Sequence, residues 1–380
     1  MRGKFKKIKI THSYKIKRRK IWFPQIEFEC DKFLFIVIKI IFAFLLLAIF
    51  LLLSIKKYKI DNVVKISNYI NIGTNIDNKY IYPFIVFLTS LLDNRAKSTF
   101  YIIHILKGND LSNNTYDKVN SVIERFGKDF CNLSYYDMGE QFKGATSGQY
   151  ISTASYYKIS FPSLLPNVDK IIFSDSDVLN LEDLSEMYNI PVNDSIYFCG
   201  VLDFVGLISE ITPFGYDRVK YMNAGIFLMN LKAIRNNSIE ENIRQFISSH
   251  FLNHHDQTAI NAICYDHIKI LPYKFATFAL FNSTEQIIKF NNEQNEKYRY
   301  NETELIQALE QPVSLHYAGW TKPWHKKYNL LNSAYWWYYA KKSGFYQEIL
   351  ENYEFLENET EALLKTIPND GGILKRNYKK

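Results

Sequence analysis

Short apolar runs alternate with longer stretches of helical periodicity through most of the chain. Four of the runs predict strands that end at polar residues, at 69–74, 99–106, 132–136 and 170–174. Helices are predicted between them, from Pro83, over 116–126 and over 151–161. Strands that alternate with helices predict an α/β fold, with a mostly parallel sheet and helices on both of its faces.

The pattern continues towards the C-terminus. Further strands are predicted at 197–202, 226–231 and 312–315, and a further helix at 258–264. No Pro/Gly-rich linker interrupts residues 67–330, so we expect this range to form a single domain. Residues 331–380 are expected to be a helical extension. Its aromatic stretch at 333–345 is expected to pack on the domain rather than to contact a membrane.

The longest apolar run lies near the N-terminus, at 33–53, and contains 21 residues with one charge, Lys39. A helix of that length spans about 30 Å, the thickness of a hydrocarbon core. We therefore predict a basic tail at 1–32, a transmembrane helix at 33–54 and a short stem at 55–66. No small-residue cleavage site follows the run, which favours a membrane anchor over a signal peptide.

The positive charge is concentrated ahead of this run. Eleven Lys and Arg against three Asp and Glu give residues 1–32 a charge of +8, so the rest of the +7 chain carries −1. The positive-inside rule then predicts a cytoplasmic N-terminus and a lumenal body, of the Golgi type in a eukaryote. In a bacterium, the body would instead lie at the cytoplasmic face of the inner membrane. The alternative is a tail that binds anionic lipid, and no basic stripe in the body suggests a nucleic-acid partner.

Composition excludes two classes of protein. With 47% hydrophobic and 16% aromatic residues, the chain is too apolar to be intrinsically disordered. Its four cysteines are widely spaced and form neither a zinc-site pattern nor a dense disulfide framework. Cys199 and Cys264 stand in apolar runs, so we expect both side chains to be buried.

Two carboxylates follow the strand predicted at 170–174. Asp175 and Asp177 stand one residue apart at the end of a buried strand, and such ends form the ligand-binding edge of an α/β sheet. Neighbouring carboxylates repel each other unless a cation lies between them, and Mg²⁺ and Mn²⁺ prefer oxygen ligands. The alternative is a polar turn in which Asp177 caps a helix that begins at Leu181.

Polar residues interrupt apolar sequence at several other places. They are Asp77 and Tyr80, Asp203, Asn223 to Gly225, Asp256 with Gln257, and the segment His316–Trp324. His316 ends the strand predicted at 312–315, and the carboxyl ends of parallel strands share one edge of a sheet, so we expect it to complete a metal site with Asp175 and Asp177. Lys322 could bind a phosphate, and Gly319 would let the backbone approach a ligand closely. The alternative in each case is turn or capping chemistry, with Asp256 as a helix N-cap.

In this order, the motifs resemble those of glycosyltransferase family eight, the retaining transferases of GT-A fold. The resemblance runs from Asn71 to about Ile349. Its most specific part is His-x-x-Gly-x-x-Lys-Pro-Trp, which residues 316–324 reproduce in full downstream of an Asp-x-Asp. Three further motifs match, at Tyr156-Tyr157-Lys158 with lysine in place of the family's arginine, Asn223-Ala224-Gly225 and Asp256-Gln257.

The resemblance implies a UDP-sugar donor and a Mn²⁺ or Mg²⁺ ion held by Asp175, Asp177 and His316. It assigns the donor's parts to the remaining residues: Asp77 and Tyr80 to uracil, Lys322 and Gly319 to the diphosphate, and Lys158, Asp203, Asn223 and Asp256 to the sugar. Gln257 would lie beside the anomeric carbon and stabilise an oxocarbenium-like state; a nucleophilic role for it is the weaker option. The implied partners are a UDP-hexose donor, and a glycan, a lipid-linked glycan or a protein as acceptor.

Other classes of function remain open from the sequence. A non-catalytic UDP-sugar-binding module would have lost a metal ligand, and none is missing. A metal-dependent phosphohydrolase would carry further acidic ligands and would lack the His-x-x-Gly-x-x-Lys segment. A membrane scaffold is suggested only by residues 1–54. The expectation is therefore a metal-dependent retaining hexosyltransferase.

Overall fold

The computed structural model describes residues 30–61, 65–142, 153–203, 221–279, 281, 283–294, 299–326, 330 and 332–367. The chain divides into two compact units, Met1–Val63 and Val64–Lys380. Most of the tail predicted at 1–32 lies outside the described residues.

The described part of the first unit is one helix, α1 (Cys30–Asp61). Its segment Phe35–Leu52 is long and apolar enough to cross a membrane, a property that signal sequences share. The helix continues past the predicted span and includes most of the stem that was expected at 55–66.

Ten strands are described in the second unit. They are β1 (Asn68–Ile76), β2 (Thr99–Lys107), β3 (Cys131–Asp137), β4 (Ile171–Ser174), β5 (Val178–Asn180), β6 (Phe198–Leu202), β7 (Met222–Met229), β8 (Ile268–Leu271), β9 (Thr277–Phe278) and β10 (Ser314–His316). Seven of them form one sheet in the order β3-β2-β1-β4-β7-β6-β8. The first four pair in parallel, whereas β7 runs antiparallel to both β4 and β6. Strands β6 and β8 again pair in parallel, so β7 is the one reversed strand among those described in this sheet, and the prediction of a mostly parallel sheet is confirmed.

The other three strands form a small sheet in the order β5-β10-β9. Strand β5 follows β4 after a three-residue turn and pairs antiparallel with β10. The suggestion that Asp177 caps a helix beginning at Leu181 is thus wrong, because the chain continues from the turn as a strand.

The helices of the second unit are α2 (Ile81–Asp93), α3 (Asn113–Phe126), α4 (Phe161–Leu164), α5 (Ser185–Tyr188), α6 (Leu231–Asn236), α7 (Ile239–Ser249), α8 (His255–Cys264), α9 (Thr284–Asn292), α10 (Glu302–Glu310), α11 (Ser333–Ser343), α12 (Tyr346–Asn352) and α13 (Glu357–Leu364). The helix predicted at 151–161 is a 3₁₀ helix over Thr153–Ser160 that leads into α4. Residues 151 and 152 lie outside the described residues.

Both faces of the large sheet are buried along its central strands β4, β7 and β6, whereas the edge strand β3 is mostly exposed or partly exposed. Successive side chains of a strand point to opposite faces, and in β4 Ile172 packs in one apolar cluster while Ile171 and Phe173 pack in another. Cys199 and Cys264 are buried as predicted. Burial on both sides fixes the register of β4, and with it the position of the turn that follows.

A third apolar cluster joins the C-terminal helices to the small sheet. Trp336 and Trp337 of α11 are 1% and 0% exposed, which confirms the expected packing of this aromatic segment on the domain. The indole N–H of Trp337 donates to the backbone carbonyl of Pro323 (3.1 Å). On the other side of that loop, the Tyr317 hydroxyl donates to the carbonyl of Asn332 (2.8 Å).

Candidate active site

The turn between β4 and β5 carries Asp175 and Asp177. The backbone N–H of Asp175 donates to the carbonyl of Gly225 in β7 (2.7 Å), and the Ser176 hydroxyl donates to the carbonyl of Asn75 in β1 (3.2 Å). The turn is therefore held from the two strands on either side of β4. This fixes where the two carboxylates leave the sheet.

His316 is brought to this turn by the small sheet. In the antiparallel pairing of β10 with β5, His316 stands opposite Val178, and the N–H of Tyr317 donates to the carbonyl of Asp177 (3.1 Å). The sequence argument had expected the ends of parallel strands to meet at a common edge, and that reason is wrong. The side chains nevertheless converge, because the candidate ligand atoms of Asp175, Asp177 and His316 lie within 4.8 Å of one another.

These three side chains fit a divalent cation. His316 Nε2 lies 3.4 Å from Asp177 Oδ1, so the imidazole and this carboxylate already face each other. His316 Nδ1 is buried without a hydrogen-bond partner among the described residues, and such an atom is costly to bury unless something binds it. Two carboxylates and one imidazole suit Mn²⁺ or Mg²⁺ and leave coordination positions for other oxygens. Burial raises the pKa of Asp175 to about 6 despite its neighbour Lys158. The charged form of Asp175 is therefore disfavoured here, and a bound cation would stabilise it.

Lys322 also reaches this group. Its ammonium donates to Asp177 Oδ2 (2.6 Å) and to the carbonyl of Tyr317 (2.7 Å). Burial would raise the pKa of Asp177, but Lys322 and His316 outweigh it and hold that pKa well below its usual range. Gly319, between His316 and Lys322, has a φ of +76°, which side-chain-bearing residues rarely adopt. The sequence predicts Lys322 at a phosphate, whereas in the structure its ammonium forms an ion pair with Asp177, a carboxylate of the candidate metal site.

Gly225 is essential to this geometry in a way that its sequence motif does not show. A Cβ atom built at Gly225 would lie 2.1 Å from His316 Cε1 and 2.5 Å from His316 Nε2. The imidazole therefore occupies the space that any other residue at 225 would need. No signal in the sequence links the two positions, because they belong to different sheets.

A second group of polar residues lies on β7 and α8. Asp203 Oδ2 accepts from the side-chain amides of Asn223 (3.2 Å) and Gln257 (2.9 Å). Gln257 Oε1 accepts from the N–H of Ala224 (3.0 Å), and Asn223 Oδ1 accepts from the N–H of Gly225 (2.9 Å). Both amides are thereby fixed in orientation. The motif Asn223 to Gly225 was expected before a strand, and it lies within β7 instead.

Lys158 and Asp256 connect the two groups. The Lys158 ammonium lies 2.8 Å from Asp256 Oδ2 and 3.4 Å from Asp175 Oδ1. Burial disfavours the charge on Lys158, but Asp175 and Asp256 together raise its pKa above the usual value. Asp256 lies inside α8, whose N-cap is His254, so its suggested role as an N-cap is wrong.

Asp77 and Tyr80 follow the end of β1. Asp77 Oδ1 accepts from the N–H of Tyr80 (2.8 Å), and the Tyr80 ring meets the Trp324 ring edge-on at 6.4 Å. Burial, and then the carboxylates of Asp177, Asp77 and Asp175, raise the pKa of Tyr80 to about 12. Tyr80 therefore lies within electrostatic range of the Asp-Asp-His group.

The fold defines the class of the protein. The solved galactosyltransferase LgtC, in complex with donor and acceptor sugar analogs, superposes with a TM-score of 0.62 over 72% of this chain and 96% of that one. The two sequences are 19% identical, so the likeness establishes the fold, which is that of the GT-A glycosyltransferases. The sequence itself gives the family: the model of glycosyl transferase family 8 matches residues 71–328, and the chain belongs to that family.

Two relatives show the range of this similarity. General stress protein A of Bacillus subtilis is 29% identical over 193 residues, which is 48% of this chain and 63% of that protein, less than two thirds of its length. A lipopolysaccharide 1,2-glucosyltransferase of Escherichia coli is 24% identical over 277 residues, 70% of this chain and 76% of that protein.

Proposed function

We propose that the protein is a metal-dependent retaining hexosyltransferase that uses a UDP-hexose as donor. The observation that carries this proposal is the convergence of Asp175, Asp177 and His316 beside Lys322. A bound metal ion and the Lys322 ammonium would lie beside the diphosphate of a nucleotide sugar, whose negative charge grows as its bond to the sugar breaks. A bound Mn²⁺ or Mg²⁺ would supply Lewis-acid stabilisation of the leaving diphosphate.

The residues around this group would hold the donor. Asp77 has a second carboxylate oxygen for the imide N–H of uracil, and the Tyr80 ring offers a stacking face. On the other side, Asp203, Asn223 and Gln257 form a buried polar network suited to sugar hydroxyls, and Gly319 would allow the backbone to approach the diphosphate. Asp256 would fix the helix end that presents Gln257.

The transfer would proceed at one face of the sugar. The acceptor oxygen would form a bond to the anomeric carbon as the bond between that carbon and the β-phosphate oxygen of UDP breaks. The acceptor's proton would pass to the departing phosphate oxygen. Configuration is then retained without a covalent intermediate. Gln257 supports this route over a nucleophilic one, because its Oε1 already accepts from the N–H of Ala224 and its Nε2 donates to Asp203. A fixed dipole there would stabilise the oxocarbenium-like state.

The acceptor is proposed to be a glycan, and first of all a lipid-linked one. The E. coli relative is named as acting on lipopolysaccharide, and α1 contains a segment able to cross a membrane. An anchor of that kind would keep the catalytic unit near lipid-linked acceptors. The cytoplasmic side of the N-terminus remains the prediction of the charge pattern.

The test is release of UDP from UDP-glucose and UDP-galactose by the full chain in detergent, with Mn²⁺ or with EDTA. We expect turnover that EDTA abolishes. Asp177→Asn is nearly isosteric and should lower turnover by at least the roughly 10–100-fold that follows loss of a residue supporting a metal site.

Asp137→Asn is the matched control. Asp137 also ends a strand of the same sheet and also pairs with a lysine, Lys107 at 2.8 Å, but it takes no part in the site. Its variant should retain the parent's turnover. Full activity of Asp177→Asn in EDTA would show that the transfer needs no metal and would overturn the proposal.

A further inference from the structure

Lys158 lies deep inside the unit. It is 2% exposed, although a lysine is seldom buried without partners that compensate its charge. It comes from the 3₁₀ helix at Thr153–Ser160, and its three partners come from three other places: the turn after β4, strand β7 and helix α8. One ammonium thus joins four separate parts of the chain.

The hydrogen-bonding capacity of this ammonium is fully used. A lysine ammonium has three N–H donors and no acceptor. Three acceptors surround it: Asp256 Oδ2 at 2.8 Å, the carbonyl of Ala224 at 3.0 Å and Asp175 Oδ1 at 3.4 Å. The ring of Phe173 lies against the same ammonium, 4.2 Å from its centre. In this arrangement, all three N–H groups face acceptors of the protein itself.

The two carboxylates need this cation. Asp175 belongs to the candidate metal group, and Asp256 precedes Gln257 on α8. Without Lys158, both would stand as buried or partly buried negative charges with no cation between them, which is the situation that strongly destabilises a fold. With Lys158, the metal turn and the start of α8 are tied to the same atom.

We propose that Lys158 is a positioning residue that sets Asp175 and Asp256 relative to each other and does not contact the donor. The proposal rests on the function proposed above, in which Asp175 binds the metal and Asp256 fixes the helix end that presents Gln257. It replaces the role at the sugar hydroxyls that the family resemblance implied for Lys158.

The first experiment measures thermal unfolding of the full chain without metal or donor, for Lys158→Met, Asp256→Asn and the double variant. Lys158→Met should lower Tm by roughly 5–10 °C, because it leaves buried carboxylates uncompensated. Adding Asp256→Asn should restore at least half of that loss, or restore folding if Lys158→Met alone does not fold. If the second substitution brings no recovery, the two side chains are not coupled and the proposal is wrong.

The second experiment measures KM and kcat for UDP release from UDP-glucose and UDP-galactose with the same variants. Lys158→Met should raise KM roughly 10–100-fold, as expected when a supporting contact of a site is lost. The double variant should have a KM well below the product of the two single effects, because the contact between Lys158 and Asp256 is lost only once. Effects that multiply, together with an unchanged Tm of the free protein, would mean that Lys158 binds the donor directly.

Lys118→Met is the matched control. Lys118 is also buried, pairs with one carboxylate, Glu348, and lies over the rings of Tyr82 and Phe345, but it is not part of the site. Its variant should lower Tm and leave KM and kcat unchanged. If Lys158→Met behaves in the same way, Lys158 is merely structural and the proposal fails. If the parent itself transfers no sugar, the proposed function fails, while the unfolding cycle still decides whether Lys158 couples the carboxylates.

Discussion

A single methyl group added at Gly225 tests the geometry of the candidate metal site. Gly225 lies in β7, and the imidazole of His316 occupies the space beside its Cα. Gly225→Ala leaves every candidate ligand in place and changes no charge. An effect on metal binding would then come from displacement, and the imidazole of His316 is the group that the new methyl would meet.

The displacement can be worked out from the distances. The new Cβ would lie 2.1 Å from His316 Cε1, and ordinary contacts begin at 3.4 Å, so the ring must retreat by about 1.3 Å. Coordination bonds tolerate errors of only about 0.2 Å. His316 should then be lost as a ligand, and we expect Mn²⁺ affinity to fall by roughly 10–100-fold. The extra methyl group should also overpack strand β7 and lower the free energy of unfolding by about 1–3 kcal/mol.

The assay is calorimetric or electron-paramagnetic-resonance titration of the full chain with Mn²⁺, accompanied by a thermal melt. Gly127→Ala is the matched control, because its Cβ would meet Cys131 Sγ at 2.7 Å and Leu92 Cδ1 at 3.0 Å, away from the site. It should lose comparable stability and bind Mn²⁺ like the parent.

Two results would refute the reasoning. One is a folded Gly225→Ala protein that binds Mn²⁺ with the parent's affinity. The other is a double variant, Gly225→Ala with His316→Ala, in which Gly225→Ala lowers Mn²⁺ affinity as much as it does alone. A substitution that acts only through the imidazole has no further effect once the imidazole is gone.

Three other predictions follow from contacts described above. Lys322→Ala should bind Mn²⁺ about tenfold more tightly than the parent when no donor is present, because its ammonium lies 2.6 Å from Asp177, yet kcat for UDP release should fall; unchanged affinity by calorimetry would contradict this. Burial lowers the pKa of His104 from the usual 6.5 to about 4, so between these two pH values the unfolded chain binds a proton and the folded chain does not. Stability is then complete above pH 6.5 and falls as the pH drops towards 4, by about 1–2 kcal/mol at pH 5, and His104→Gln should flatten that part of the profile in urea titrations. Trp337→Ala should cost about 3–5 kcal/mol in urea unfolding, whereas the 66% exposed Trp320 should tolerate alanine within about 0.5 kcal/mol; equal effects would contradict the packing of α11.

Local patterns predicted the first half of the sheet well. The apolar runs that became β1, β2 and β4 are bounded by polar turns, and they are largely buried, which leaves a clear signal in sequence. The motifs also led to the right family. Asp175 and Asp177 were placed correctly at the end of a strand, because the strand and the turn that carries them are contiguous in the chain.

Contacts between segments that are distant in the sequence could not be predicted from local patterns. The antiparallel pairing of β10 with β5 depends on a register that no local pattern encodes, so the convergence of His316 with Asp177 was expected for the wrong reason. Asn223 was expected outside a strand because polar residues usually end strands, yet its side chain is satisfied inside β7 by Asp203 and the Gly225 N–H. The partners of Lys158 come from three other segments, and only the folded chain brings them together.

The contacts of the C-terminal helices bear on where this protein can be shortened. The match to the family model ends at residue 328, but the loop that carries Lys322 is held by residues beyond it. The Trp337 indole donates to the carbonyl of Pro323, and the Tyr317 hydroxyl donates to the carbonyl of Asn332. A chain cut after the last motif would retain every candidate ligand and lose the contacts that hold the segment from His316 to Lys322. We therefore expect the functional boundary of the unit to lie past α11, so that a fragment designed from the limits of sequence similarity would contain every motif and lack part of the structure that supports them.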